Sequence, residues 1–396
     1  MRFVDVAIPA GYAWSSPFAK WQGSLAEVNS LDLAAAVTAR ALADRGVEVS
    51  ALDSLVLGWT IPQQEIFYGA PTLARRIGAP GLTGPMVSQA CATGVAALAA
   101  AAGQVQAGGG TALVVTTDRT SNGPVVLHPN PSGAGGAPRV ETWVLDAFAR
   151  DPSTGRGMLA AGETVAAKHG ITREECDELT LLRSEQYRAA LADERAFQRR
   201  YQVPVEIPAK RGRGVLLEAD EGVRPAVREE ISKLAPVDPD GVLTFASQTH
   251  PADGTAGAVV TTVDRARELS GGQGVVRLLG VGFARVAAAH MPEAPVPAAR
   301  AALRAAEVEL SEVVAMTTHN PFAVNDLIFA RETGFPLERM NAYGSSLIFG
   351  HPQAPTGLRS IAELIEELRL RGGGIGLFTG CAAGDTGAAL VIDVAD

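Results

Sequence analysis

Residues Gly84–Val105 read GPMVSQACATGVAALAAAAGQV, a strand-to-helix transition around a single cysteine. Met86 to Gln89 has the character of a strand end, while Ala92 to Val105 predicts a helix of very small residues. A helix with so little bulk and charge belongs in the interior, where Gly94 and the alanines let neighbouring elements come close. Cys91 then stands at a strand-to-helix junction, where the positive end of the helix dipole lowers a thiol pKa. Free cysteines are more often structural, so the rest of the chain must decide its role.

Outward from this stretch, the sequence repeats itself. ARALADRGVEVSALDSLVLGW starts at Ala39 and ARAALRAAEVELSEVVAMTTHN at Ala299. Each predicts an amphipathic helix, a short turn carrying VEVS or VELS, and an apolar strand. A second echo pairs TALVVTTD from Thr111 with AALVIDV from Ala388, both strand-like. Matched units so far apart point to a duplicated α/β half and not to a short-period solenoid. The material between differs. Ser121 to Pro138 is rich in Gly, Pro, Asn and Ser and predicts a long irregular loop. Ile171 to Arg200 is charged and helical, with Thr172 and Glu175 in a capping-box pattern, and a mixed-charge stretch follows from Lys210 to Lys233.

Composition sets the outer limits. The chain has 396 residues, 47% hydrophobic and only 19% charged, with a net charge of -9. That length suits two fused domains with insertions, and the balance suits a globular α/β protein. The negative charge argues against a general nucleic-acid surface, although a small basic pocket for one phosphorylated ligand is compatible with it. Cys91, Cys176 and Cys381 lack metal-type spacing and are odd in number, so neither a metal site nor a disulfide framework is expected. The N-terminus carries no signal-peptide pattern, and the apolar run around Cys91 is too short and Gly-interrupted to span a bilayer. The expectation is a soluble cytoplasmic protein without a membrane partner.

Three further blocks carry chemistry-bearing residues. In GSSLIFGHPQAPTGLRSIAELIEEL a strand is predicted to end near Phe349, the Gly350-His351-Pro352 turn presents an imidazole, and Gly357 opens a long amphipathic helix. Two-fold symmetry of the halves would set this helix N-terminus opposite that of the Cys91 helix. A histidine facing a helix-terminal cysteine is a common way to generate a thiolate. GLFTGCAAGDTGAALVIDV places Cys381 at a Gly-rich turn between two strands. In TTHNPFAVND a strand ending near Thr317 delivers His319 and Asn320 to a loop. Ends of strands are where open α/β sheets hold ligands.

These blocks resemble the thiolase superfamily, in order and over essentially the whole chain. CATG at Cys91 is similar to the family's nucleophile block, GHPQAPTG to its GHP-x-x-x-x-G block, CAAGDTG to its late cysteine turn, and HNPF to its Asn-Glu-Ala-Phe loop. The resemblance implies a duplicated thiolase-type α-β-α-β-α layered fold with an inserted coenzyme-A-binding loop domain. Its halves would be residues 1–118 with 250–272, and 273–396, with the loop domain at 119–249. It further implies that Met158 and Thr249 contact pantetheine, Arg224 packs on the adenine end, and Met291 and Phe322 line the thioester pocket. Coenzyme A would be a substrate, with no cofactor permanently bound, and the chain would form a homodimer or homotetramer.

The same resemblance supplies a mechanism. His351 takes the Cys91 proton, the thiolate attacks the keto carbon of a 3-oxoacyl-CoA, and His351 with His319 holds the oxyanion, directly or through a water. Cys381 protonates the departing acetyl-CoA enolate. Coenzyme A then attacks acyl-Cys91 while backbone N–H groups near Cys91 and Ala383 hold the second oxyanion. Departures from the pattern are His319 for Asn, Ala383 for Gly, TTDRTSN for the Gly-Gly-Met-Glu-Ser-Met-Ser stretch, and SQTH for Asn-Ala-Ser-Gly. They leave open a decarboxylating 3-oxoacyl synthase, which needs no second cysteine, and a catalytically impaired partner protein. An unrelated Cys-dependent hydrolase would need none of these likenesses.

Overall fold

The computed structural model describes residues 1–208 and 214–395, and Lys210 of the mixed-charge stretch lies outside them. Ten strands, with the short strand Ala19–Lys20, build a six-stranded and a five-stranded sheet: β1 (Ala7–Pro9), β2 (Ala13–Ser15), β3 (Ser54–Gly58), β4 (Met86–Val87), β5 (Ala112–Arg119), β6 (Ala252–Val260), β7 (Val275–Arg285), β8 (Val313–His319), β9 (Gly374–Ala382) and β10 (Thr386–Ala395). One sheet runs β2-β6-β5-β3-β4, with Ala19–Lys20 also pairing on β6, and the other runs β1-β7-β10-β9-β8. In both, a parallel pair (β3 with β5, β8 with β9) is followed by an antiparallel neighbour (β6 or β10). The first echo is thus a real structural repeat. The second is not: β5 corresponds to β9, and β10 occupies the place of β6. Apolar strands of similar composition carry no mark of their position in a sheet. β1 crosses from the N-terminal side of the chain into the second sheet, where it pairs with β7.

The helices fall into layers. Those used below are α1 (Ser30–Asp44), α2 (Thr93–Gln106), α3 (Met158–His169), α4 (Arg173–Ala190), α5 (Pro295–Ala306), α6 (Ala323–Thr333) and α7 (Ala354–Leu370). Successive side chains of β5 show the order: Thr117 Oγ1 donates to the Ser30 carbonyl of α1, while Thr116 and Gly58 face Thr93 and Ala97 of α2. In the second sheet Gly376 faces Leu364 and Leu368 of α7, and Thr379 donates to the Pro295 carbonyl of α5. The result is α1, sheet, α2 with α7, sheet, α5. α7 is amphipathic in pattern as expected, but its polar face is not solvated: every residue from Ala354 to Leu368 is buried, Arg359 and Glu363 as an ion pair. Gly94 is required where the central helices cross, since a Cβ there would sit 2.7 Å from the Leu358 nitrogen.

A buried ion pair ties the segment between β5 and β6 to the central layer. Arg359 of α7 holds both carboxylate oxygens of Asp220 at 2.7 and 2.8 Å, and both side chains are 0% exposed. The guanidinium also lies over the Phe18 and Phe349 rings. Replacing Asp220 with Ala removes the bidentate partner and leaves that buried cation only the 3.2 Å contact with Glu363, a loss of up to about 3–5 kcal/mol. Asp220→Ala should therefore lower the urea midpoint sharply, and an unchanged midpoint would show the pair to be dispensable.

Two local expectations are corrected here. Residues 121–138 hold more order than a loop, since Val125–His128 and Arg139–Thr142 form an antiparallel hairpin. Cys176 is not on an exposed face but fully buried, because Cys176, Leu179, Arg183 and Tyr187 form the inner stripe of α4. Arg183 on that stripe is paired with Asp326, so charge was a poor sign of exposure. The capping box at Thr172 and Glu175 is present as read.

Candidate active site

Cys91 lies two residues before α2, in a tight turn. Ala90 adopts a left-handed φ of 45°, and the Thr93 hydroxyl secures the turn by donating to the Ala90 carbonyl at 2.7 Å and accepting from the Gln89 N–H at 2.8 Å. The matched turn before α7 carries His351. Its Nε2 lies 3.1 Å from Cys91 Sγ, and its Nδ1 lies 2.6 Å from the Thr356 hydroxyl in the first turn of α7. With Nδ1–H donated to Thr356, the Nε2 lone pair faces the thiol, which is the arrangement a base requires. The strand expected to end near Phe349 is instead a single helical turn, Ser346–Phe349, whose Leu347 N–H is capped by Asn320 Oδ1 at 3.2 Å.

His319 ends β8 and stacks on His351, ring centroids 4.1 Å apart. Its Nδ1 contacts the Ser346 hydroxyl at 2.9 Å, and its buried Nε2 has no partner within the described chain. Behind it Asn320 Nδ2 donates to Asp326 Oδ2 at 2.7 Å, and the Ser346 hydroxyl lies 3.3 Å from Asn320 Oδ1. That hydroxyl has one proton, so its rotation links two tautomers of His319: donated to Nδ1, it leaves Nε2–H as a donor; donated to Asn320, it leaves Nε2 with a lone pair. Cys381 is buried at the end of β9, where its sulfur accepts from Asn325 Nδ2 at 3.3 Å.

The electrostatics run against the expected lowering of the Cys91 thiol pKa. Burial pushes the Cys91 thiol up to about 12, against the opposing hydrogen bond from the Ala383 N–H. His319 is pulled down to about 3 by burial, and His351 falls well below its ordinary value through burial and the adjacent His319. Burial and the nearby Cys91 also raise the Cys381 thiol. Desolvation outweighs the helix dipole, so the resting pair is thiol and neutral imidazole. Because the thiol is raised, its ionised fraction climbs about tenfold per pH unit throughout the neutral range. Alkylation of Cys91 by iodoacetamide should accordingly keep accelerating from pH 6 to 9. A rate already level below pH 7 would indicate a preformed ion pair.

Cys91 and His351 open onto a cavity of about 350 Å³. Met158, Thr249, Met291 and Phe322 line it. The Thr249 hydroxyl is already committed to the Ser346 carbonyl. Ala383 borders a small cleft that shares Met158 and Met291 with the main cavity. His319 and Cys381 sit behind the lining, and Arg224 is exposed and outside it. The sequence reading missed Phe148, Phe245, Gln248 and His250 on the wall, and Asn325 beside Cys381. It also missed Gln353, two residues past His351, whose Oε1 accepts from the Cys91 thiol at 3.2 Å. Gln353 holds a left-handed φ of 65°, and Asp118 fixes the next residue by accepting the Ala354 N–H at 2.9 Å.

A cysteine and a histidine presented by two matched turns on one cavity wall give an α/β protein an arrangement suited to thiol chemistry. Comparison with known proteins narrows this. The thiolase N-terminal domain family matches residues 12–264, and the thiolase C-terminal domain family matches residues 273–394. The chain is 30% identical over 380 residues to an acetyl-CoA acetyltransferase of Cupriavidus necator, covering 94% of this chain and 96% of that one. It is 31% identical over 433 residues to a 3-ketoacyl-CoA thiolase of Erwinia tasmaniensis, covering 96% and 94%. The crystal structure of the Bacillus anthracis acetyl-CoA acetyltransferase superposes with a TM-score of 0.92 over 99% of both chains at 28% identity. The chain belongs to the thiolase family.

Proposed function

We propose that this chain is a thiolase-type acyltransferase that uses Cys91 to carry an acyl group between coenzyme A and the α-carbon of an acetyl thioester. The observation that carries the reading is the 3.1 Å contact of His351 Nε2 with Cys91 Sγ at an apolar cavity, with Cys381 buried behind. His351 takes the thiol proton as the sulfur attacks the 3-oxo carbon, then returns an N–H to the oxyanion together with Nε2–H of His319. Breaking the carbon–carbon bond leaves an enolate, which Cys381 protonates. Coenzyme A attacks the acyl-sulfur bond, and the Ala383 N–H beside Cys91 supports the second oxyanion. Each such donor contributes roughly 3–4 kcal/mol.

The wall suits the substrate assigned to it. Phe148, Phe245, Met158 and Met291 give an apolar channel for pantetheine and the acyl chain. Met158 belongs to the segment between β5 and β6, which supports a loop domain at 119–249 that holds coenzyme A, with exposed Arg224 free to meet its adenine end. Coenzyme A comes and goes as substrate. Exposed Phe67, Tyr68 and Met86 beside the open edge strand β4, and Val125, Leu127 and Val140 on the hairpin, support self-association as a homodimer or homotetramer. Among the described residues no helix is long and apolar enough to cross a membrane, and three free cysteines favour a cytoplasmic setting.

Incubation with coenzyme A and 3-oxoacyl-CoA substrates of graded chain length tests the reading. The expected result is coenzyme-A-dependent cleavage to equal amounts of acetyl-CoA and the shortened acyl-CoA. Condensation only of a malonyl thioester, with carbon dioxide released, would favour the decarboxylating synthase instead.

A further inference from the structure

Cys91, His319 and His351 come from three separate segments, so no spacing in the sequence announces them as a set. In the fold, one ligand atom from each lies within 4.8 Å of the other two, and all three residues are buried. The second side of each imidazole is already taken. Nδ1 of His351 meets the Thr356 hydroxyl at 2.6 Å, and Nδ1 of His319 meets the Ser346 hydroxyl at 2.9 Å. That is the outer-shell pattern that orients histidines bound to a metal, since the donated Nδ1–H leaves Nε2 with its lone pair. His319 Nε2 is buried without a partner, so nothing in the described chain competes for it.

We infer that these three side chains form a binding site for zinc or a similar thiophilic divalent cation, one that excludes the acyl reaction while occupied. One thiolate and two neutral imidazoles are a preferred zinc donor set, and three protein ligands leave a fourth position open. That position faces the cavity beside Gln353, whose Oε1 lies 3.2 Å from the sulfur. Binding displaces the Cys91 proton to solvent and forms a sulfur–zinc bond, with no change of oxidation state. The Ser346 hydroxyl then rotates to Asn320, fixing His319 as a ligand and withdrawing it as an oxyanion donor. The same three groups therefore serve acyl transfer or the metal, never both, and the cation acts as a reversible brake.

The test uses the purified whole chain with zinc chloride alone, so it reads independently of whether the chain cleaves 3-oxoacyl-CoA. Equilibrium dialysis should give one zinc per chain. X-ray absorption should show one sulfur at about 2.3 Å and two imidazole nitrogens at about 2.0–2.1 Å. Prior alkylation of Cys91, or Cys91→Ser, should remove the sulfur from the shell. Ser346→Ala, which touches no metal, should weaken binding roughly 10–100-fold by releasing His319. A Cys176→Ser variant should bind as wild type. Absence of stoichiometric zinc, or a sulfur shell that survives alkylation of Cys91, would overturn the assignment.

Discussion

His351→Ala is expected to abolish acylation of Cys91, while His319→Asn retains it at a reduced rate. The two rings stack 4.1 Å apart, yet only His351 presents a nitrogen to the sulfur, at 3.1 Å. A thiol raised to about 12 by burial cannot ionise unaided at neutral pH, so loss of its base removes the nucleophile itself. General-base removal typically costs roughly 10²–10⁴-fold, and the buried thiol puts this case at the severe end. In the proposed mechanism His319 acts through an N–H offered to the oxyanion, and removal of such a donor costs about 10²–10³-fold. Rapid quench with acyl-CoA separates these outcomes. Equal and complete loss of acyl-Cys91 in both variants would contradict this division of labour.

The second large effect belongs to Cys381. A synthase obtains its carbanion by losing carbon dioxide, whereas a thiolase must move a proton on a weakly acidic acetyl methyl. Cys381 is the thiol available for that step: it lies near enough to Cys91 for the two to interact electrostatically, and Asn325 Nδ2 steadies its sulfur at 3.3 Å. Wild-type protein should exchange acetyl-CoA methyl hydrogens with deuterated solvent. Cys381→Ala should lose that exchange, and with it roughly 10²–10⁴-fold in cleavage of 3-oxoacyl-CoA. It should still accept an acyl group on Cys91 from a simple acyl-CoA. Exchange at the wild-type rate would make Cys381 a packing residue.

Much of this site was legible because its elements announce themselves locally. A run of alanines beginning at Thr93 can only be an interior helix, and the VEVS and VELS echoes mark helix–strand units whose ranges the fold reproduces. What stayed hidden depended on contacts between distant segments. Ser346–Phe349 reads as strand by composition, but Asn320 caps it as a helical turn. Cys176 reads as exposed because its neighbours are charged, yet Arg183 on the same stripe is itself buried against Asp326. Gln353 stood in plain view within GHPQAPTG, but only the crossing of α2 and α7 places its amide on the nucleophile. The direction of the Cys91 thiol shift was misjudged for a related reason. A helix terminus is visible in sequence, whereas the depth at which Cys91 is buried is a property of the folded layers.

The most direct test of the account is the location of the acyl group. Wild-type protein would be mixed with a simple acyl-CoA, quenched in acid before transfer back to coenzyme A, digested and analysed by peptide mass spectrometry. One acyl group per chain is expected, on the peptide containing Cys91, and none on the buried Cys176 of α4. Turnover with Cys91 unmodified, or acyl label on Cys176 with Cys91 clean, would contradict it.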